Sequence, residues 1–458
     1  MYVEQIYTGC LAEAAYYIES NGEAAIIDPL RETQPYLELA QKRGATIKYV
    51  LETHFHADFV SGHLDLARQT GARIVYGPGA KANFELHTAY DGEELPLGEV
   101  KIKVLHTPGH TPESSCYLLF DENNQENAVF TGDTLFIGDV GRPDLAVKSD
   151  LTEQDLAGML YESLQNKLLT LPDSVTVYPG HGAGSQCGKN MSDETVSTIG
   201  EQRKLNYALQ PMSKQEFVDV VLDGLSAPPQ YFPKNAVINK TGYEAIDEVM
   251  TRNLRALSVE EFAALADEAI VLDSRAYEDF GNGFMTNAMG IALDGDFAVW
   301  VGTLIEDLKT PLLIVAPEDR IEETVLRLAR VGYENVLGYL QGGFEAWQAA
   351  GQPVETIERV APENLDLNQP IIDVRRCAEF DAGHVKGAIK LSLAQLPQNL
   401  AQVPQGTLQI TCKSGYRAMI AAALLRRAGF NDLLHITGGM DAIEKTDLPI
   451  ETSAPQVA

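Results

Sequence analysis

The sequence has few cysteines for its length: five in 458 residues, Cys10, Cys116, Cys187, Cys377 and Cys412, an odd number without a CxxC pair. That excludes a disulfide-stapled scaffold and a structural zinc knuckle, which need closely spaced sets. No apolar run approaches the roughly 18 residues needed to span a bilayer, so no membrane association is expected. The first residues, MYVEQIYTGCLAEAAYYIE, have no basic stretch followed by an apolar one, so no secretory leader is expected either and the reading is cytoplasmic. Positive charge is also scarce: 35 Lys and Arg face 65 Asp and Glu, a net charge of −30. Such a field repels polyanions, which excludes nucleic acid as a partner.

What is present is a soluble, globular composition, 45% hydrophobic and 22% charged, in a chain long enough for about three domains of roughly 150 residues. Four strand-like runs in the first 180 residues, IKYVLE (47–52), VKIKVLH (100–106), AVFTG (128–132) and VTVYP (175–179), each lead into residues able to bind metal. These are His54, His56 and Asp58, then His110 in TPGHTP, Asp133 in TGDT, and His181 in PGHG. Strand ends on one edge of a sheet are expected to bring such loops together. Any one of the motifs alone fits a hydrogen-bonded structural histidine, as is expected for His87, His106 and His435. The ordered set of four, each after a strand, points to a metal centre.

After a mixed helical and linker stretch, SAPPQYFPKN (226–235), the sequence repeats. VLDSRAYEDF (271–280) returns as IIDVRRCAEF (371–380), and LQGGFEAW (340–347) as ITGGMDAI (436–443). Each copy alternates strands with amphipathic helices, the pattern of an open parallel α/β sheet. APENLDLNQP (361–370) reads as the joint between the copies.

The metal motifs resemble the metallo-β-lactamase fold superfamily, an αββα sandwich with metals at one edge. In its dinuclear hydrolases, of the glyoxalase II kind, the residue after the Asp58-type carboxylate is a histidine that helps bind a second metal. Here it is Phe59, so the resemblance implies a single metal. His54, His110 and Asp133 then form a two-histidine, one-carboxylate triad with open positions, a pattern suited to non-haem Fe(II) and O2. The persulfide dioxygenases of this superfamily use such a triad and share GHTP and GR-x-D segments, here Gly141-Arg142-Pro143-Asp144. Animal and plant members usually carry histidine where this chain has Phe59. His56, Asp58 and His181 are expected to orient ligands or a bound water, with His56 as a possible fourth ligand. Arg142 is a candidate for holding a substrate carboxylate by a bidentate contact, or for a plain salt bridge.

The last repeat resembles the rhodanese sulfurtransferases: the strand TLQIT (407–411) enters the loop CKSGYR (412–417), with DVR at 373–375 and GHVKGA at 383–388. Cys412 sits where backbone N–H groups and a helix start converge, and Lys413 and Arg417 stand beside it, a setting for a thiolate or persulfide anion. In the first copy LLIVA (312–316) puts Ala316 at the Cys412 position, followed by Glu318 and Asp319. That copy has no nucleophile and reads as degenerate. Cys187, in GHGAGSQCGKNMS, is expected on a mobile loop close to the metal, as a sulfur relay or an inert surface thiol; Cys10, Cys116 and Cys377 are expected to be small packing residues.

The expected organisation is therefore α/β and α+β multidomain: a persulfide dioxygenase-like domain over 1–250, a degenerate rhodanese over 254–354 and an active rhodanese over 360–452. The resemblances imply one Fe(II) per chain, with zinc as the alternative. They also imply oxidation of a thiol persulfide of the glutathione, coenzyme A or bacillithiol type by O2, giving sulfite and thiol. Cys412, loaded as a persulfide, would then transfer sulfur to sulfite to form thiosulfate, a sulfide-detoxifying sequence. Two alternatives are a zinc-dependent thioester hydrolase fused to a sulfurtransferase and a non-catalytic persulfide carrier or sensor. A homo-oligomer is expected from general experience with such chains.

Overall fold

A computed structural model describes residues 1–146, 151–225 and 227–453. The chain divides into two compact units, residues 1–249 together with 329–332, and 250–328 together with 333 onward. No helix among the described residues is long and apolar enough to cross a membrane.

The first unit is a sandwich of two six-stranded sheets. One is ordered β1 (Tyr2–Thr8), β2 (Glu13–Ser20), β3 (Glu23–Ile27), β4 (Thr46–Leu51), β5 (Arg73–Tyr76), β6 (His87–Thr88). The other contains β7 (Glu94–Leu97), β8 (Val100–His106), β9 (Ser115–Phe120), β10 (Glu126–Gly132), β11 (Thr176–Pro179) and β12 (Ser197–Thr198), ordered from β12 back to β7. Strand periodicity explains the layers, because alternate side chains point to opposite faces. In β2, Ala14, Tyr16 and Ile18 enter the core between the sheets with Ile102, Val104, Tyr117 and Phe130. Ala15 and Tyr17 face the other way, into a cluster with Tyr36 and Ala40 of the helix Gln34–Arg43. On the second sheet Cys116, Leu118 and Val129 face outward onto Leu160 and Leu164 of the helix Glu153–Asn166. Helices thus cover both outer faces, an αββα arrangement.

The four motif-bearing strands do not share one sheet: β4 belongs to the first and β8, β10 and β11 to the second. The motifs converge because the two sheets present neighbouring edges of the sandwich. The 226–235 stretch is also more ordered than a linker, since the helix Phe232–Thr241 begins inside it; Ser226 lies outside the described residues.

The second unit contains the internal repeat as two five-stranded parallel sheets of identical order. The first runs Ala256–Leu257, Val336–Leu340, Leu312–Val315, Ile270–Asp273, Met289–Gly290. The second runs Glu358–Val360, Leu433–Ile436, Leu408–Thr411, Ile371–Asp373, Ile389–Lys390. The repeat extends to single bonds. Arg275 Nε donates to Asp273 Oδ1 at 3.0 Å and its Nη2 to Gly283 O at 2.8 Å; Arg375 does the same to Asp373 at 3.0 Å and Gly383 O at 2.6 Å. The shared D-x-R motif is therefore a buried ion pair that fixes the helix after the strand.

Candidate metal centre and sulfur-transfer loop

β4 ends at Leu51, and the next residues turn back across the sheet edge with Thr53 anchored on Asp28. The Thr53 N–H donates to Asp28 Oδ1 at 2.7 Å and its hydroxyl to Oδ2 at 2.8 Å. His54 Nδ1 lies 3.0 Å from the Thr53 hydroxyl, which takes up that nitrogen and leaves Nε2 as the outward donor. His110 is held likewise, with Nδ1 donating to Arg142 O at 2.9 Å and Nε2 3.5 Å from Asp133 Oδ2. One ligand atom from each of His54, His110 and Asp133 falls within 4.8 Å of the others, and all three residues are buried. Neither Asp133 oxygen has a hydrogen-bond partner. Burial, together with the neighbouring His56, His110 and His181, pushes the His54 pKa well below the ordinary value, so the ring is neutral, the form that binds metal.

Two glycines make this approach feasible. A Cβ on Gly141 would stand 1.9 Å from Asp133 O and 3.1 Å from His110 Nδ1, and one on Gly180 would stand 2.8 Å from Asp133 Oδ1. The GR-x-D and PGHG segments are packed directly on the carboxylate.

His56 faces inward. Its Nε2 is 3.0 Å from Asp28 Oδ1 and 3.4 Å from Glu52 Oε2, its ring stacks on Phe59 at 4.3 Å, and Nδ1 is buried without a partner. Burial opposes charge on this ring, but Asp28 and Glu52 outweigh it and raise the pKa well above the usual value. Asp28, Glu52 and Thr53 were missed by sequence reasoning; the first two are carboxylates directly after the apolar strands β3 and β4, and that position was their only visible signal. Glu13 was also missed. It is 1% exposed, burial raises its pKa well above the carboxylate range, and neither oxygen has a partner.

Asp58 and His181 meet on the other side of Asp133. His181 Nε2 lies 3.3 Å from Asp58 Oδ2 and 3.6 Å from Asp133 Oδ1, while Nδ1 donates to Ala12 O at 3.1 Å. Cys187 joins this group, its sulfur within 4.8 Å of ligand atoms of Asp58 and His181. The thiol is not at the surface: Cys187 is 1% exposed, and burial with Asp58 and Asp133 nearby pushes its pKa well above the free value. Its loop is pinned by Asp139, whose Oδ2 accepts from the N–H groups of Lys189 and Asn190 at 2.6 and 2.7 Å, and by the Arg142 N–H donating to Cys187 O at 3.0 Å. The Arg142 guanidinium is also buried, its fork bonded to Asp144 at 2.7 and 2.6 Å. A substrate carboxylate would have to displace Asp144; the firm contribution of Arg142 is its carbonyl, which orients His110.

In the second unit the loop after Leu408–Thr411 brings the Gly415 N–H to 3.1 Å from Cys412 Sγ. Met440 N–H donates to Cys412 O at 2.8 Å and Asp441 N–H to Lys413 O at 3.0 Å, so the terminal Gly438-Gly439 turn buttresses the loop. Arg417 is committed to Glu379 through two bonds of 2.7 Å, and Lys413 is exposed. His435 Nε2 donates to Gly415 O at 2.9 Å, His87 pairs with Glu93, and His106 bonds Pro112 O, so all three serve structure. In the first copy Ala316 follows its strand where Cys412 follows the other, and Glu318–Arg320 forms a short 3-10 turn. Of the remaining cysteines Cys116 is buried in the core, Cys10 is half-buried, and Cys377 is exposed, contrary to its expected packing role.

A family model described as the metallo-beta-lactamase superfamily matches residues 8–181, and one for a rhodanese-like domain matches 358–446. Persulfide dioxygenase ETHE1, mitochondrial, of Homo sapiens is 33% identical over 201 residues, covering 43% of this chain and 71% of that protein. Hydroxyacylglutathione hydrolase of Rhizobium etli is 38% identical over 167 residues, 36% of this chain and 58% of that protein. Among solved structures, a metallo-beta-lactamase from Staphylococcus aureus subsp. aureus COL matches with a TM-score of 0.66 at 30% identity, over 74% of this chain and 98% of that one.

Proposed function

The chain belongs to the metallo-β-lactamase superfamily and carries a C-terminal rhodanese-like domain, and on that premise we propose that it oxidises a thiol persulfide with O2 and passes sulfur onward through Cys412. The observation that carries this reading is the buried His54, His110 and Asp133 cluster, with both histidine Nδ1 atoms engaged and the carboxylate unpartnered. This donor set fits one Fe(II), and the metal when bound supplies open positions for the persulfide sulfur and O2. Zinc is the alternative occupant. The chain's own residues do the rest: Thr53 and Asp28 hold His54, Arg142 O holds His110, and Gly141 and Gly180 let the loops close on Asp133. The overall first reaction is RSSH + O2 + H2O giving RSH and sulfurous acid, ionised as sulfite at neutral pH.

In the second reaction the Cys412 thiolate attacks the outer sulfur of a second RSSH molecule, the sulfur–sulfur bond of that molecule breaks, RS⁻ leaves, and Cys412 carries the outer sulfur as a persulfide. Sulfite attacks that sulfur, the sulfur–sulfur bond to Cys412 breaks, and Cys412 leaves as thiolate while thiosulfate forms. The Gly415 N–H at 3.1 Å is placed to stabilise that anion. The 254–354 copy, with Ala316 in the cysteine position, takes no part in this exchange.

The likeness to hydroxyacylglutathione hydrolases favours one competing reading, zinc-dependent thioester hydrolysis at the same centre. Paired variants separate the functions. His110→Ala is expected to abolish persulfide-dependent O2 uptake while retaining thiosulfate:cyanide sulfur transfer, and Cys412→Ser is expected to do the reverse. Loss of both activities in Cys412→Ser would point instead to a sulfur carrier.

A further inference from the structure

The degenerate copy has no sulfur-carrying residue of its own, yet it packs against the loop that holds Cys412; both copies belong to the same compact unit. The contact centres on Gly415, whose N–H lies 3.1 Å from Cys412 Sγ. Gly415 has φ +115, and a Cβ there would stand 3.2 Å from Cε1 of His435 and 3.3 Å from Cε2 of Tyr277. His435 comes from the active copy and bonds Gly415 O at 2.9 Å. Tyr277 comes from the degenerate copy, where it opens the helix Tyr277–Asn282. The two ring centroids are 6.0 Å apart, and the rings flank the Gly415 backbone. The next residue is fixed by the degenerate copy as well. The Tyr416 hydroxyl donates to Ala292 O at 2.9 Å, and its ring lies over Gly295, where a Cβ would stand 3.0 Å from Cζ.

The size of Tyr277 is not explained by its own copy. In the internal repeat it aligns with Cys377, which is exposed in the active copy, so a copy of this fold forms with a small side chain at that position. What the ring meets is the neighbouring loop: Gly415, His435 and, edge-on at 6.5 Å, Tyr416. Glycine has the freest backbone of any residue, so the direction of the Gly415 N–H has to be fixed from outside. A backbone donor stabilises developing charge only when it is aimed in advance. We propose that Tyr277 is a positioning residue for sulfur transfer: with His435 it clamps Gly415 so that the N–H points at the Cys412 sulfur, which makes the degenerate copy a required half of the site. The contact is made by the ring edge, so the hydroxyl is dispensable. The inference rests on the reading of Cys412 as the sulfur carrier and not on the reaction at the metal centre.

The test is steady-state thiosulfate:cyanide transfer by the full-length protein, with urea midpoints from tryptophan fluorescence as the folding control. Tyr277→Ala is expected to lower kcat about tenfold while KM for thiosulfate stays within about twofold, the mark of a group that acts on the reaction step and not on binding. Tyr277→Phe keeps the ring edge and is expected to retain the wild-type kcat. Gly295→Ala, which presses on the Tyr416 ring from the second contact, is expected to lower kcat with the same unchanged KM. Urea midpoints of the three variants are expected to match wild type. A wild-type kcat in Tyr277→Ala, a Tyr277→Phe protein as slow as Tyr277→Ala, or a raised KM with kcat unchanged overturns the proposal. A kcat loss that comes with a lowered urea midpoint in both Tyr277→Ala and Gly295→Ala assigns it to folding and overturns the proposal too. Absence of any transfer in wild type would remove the Cys412 reading itself, and this inference with it.

Discussion

At the scale of single residues, the candidate ligands depend on groups outside the ligand set. Asp28 is the clearest: it fixes Thr53 through two bonds of 2.7 and 2.8 Å and stands 3.0 Å from His56, so two histidines take their orientation from one buried carboxylate. Partners of this kind are worth roughly 10- to 100-fold in metal affinity or activity. Asp28→Asn is therefore expected to weaken metal binding at the His54, His110 and Asp133 centre by about that factor, read by competition with a chelator, while leaving any sulfur transfer at Cys412 unchanged. The histidines and Asp133 were legible because they recur in fixed order after apolar runs. Asp28 was not, because its partners lie 25 and 28 positions away and only folding brings them together. Cys187 was misjudged for a related reason. Its Gly- and Ser-rich neighbours suggest a mobile surface loop, but the bonds that bury it come from Asp139 and Arg142.

At the scale of elements, the repeat in the sequence foretold a repeat in structure, down to the Asp–Arg pairs at 273–275 and 373–375. What the repeat could not foretell is how the Cys412 loop is held. Gly439 has φ +55, and a Cβ there would stand 2.5 Å from Cys412 O and 2.6 Å from Lys413 O. Gly439→Ala is expected to displace the loop, at a strain of about 1–3 kcal/mol, and to slow sulfur transfer about tenfold or more with O2 uptake intact. His435 supports the same loop with one nitrogen, and its other nitrogen, Nδ1, is buried without a partner. Burial lowers its pKa below the ordinary 6.5, so the unfolded chain binds the proton more readily. Its contribution to stability is full above about pH 6.5 and is lost as the pH falls toward the folded-state value. Both tryptophans, Trp300 and Trp347, lie in this unit, so their fluorescence reports its unfolding alone. The urea midpoint should fall from pH 7 to pH 5 in wild type and fall less in His435→Gln.

At the scale of the whole molecule, the proposed function joins in one chain a centre that would make sulfite and a cysteine that would consume it. Tethering replaces a bimolecular encounter by an intramolecular one, with an effective concentration that reaches the millimolar range for short flexible connections. Wild type is accordingly expected to release thiosulfate as its main product, and Cys412→Ser to release sulfite at an unchanged rate of O2 uptake; equal thiosulfate from both would remove the coupling. The central claim is more basic, that the His54, His110 and Asp133 centre activates O2. It is tested most directly by reconstituting the apoprotein anaerobically with Fe(II) or Zn(II) and recording O2 consumption with glutathione or coenzyme A persulfide. The account predicts persulfide-dependent uptake, one O2 for each sulfite equivalent formed, in the iron protein and none in the zinc protein. No uptake with iron, together with thioester hydrolysis by the zinc protein, would contradict it.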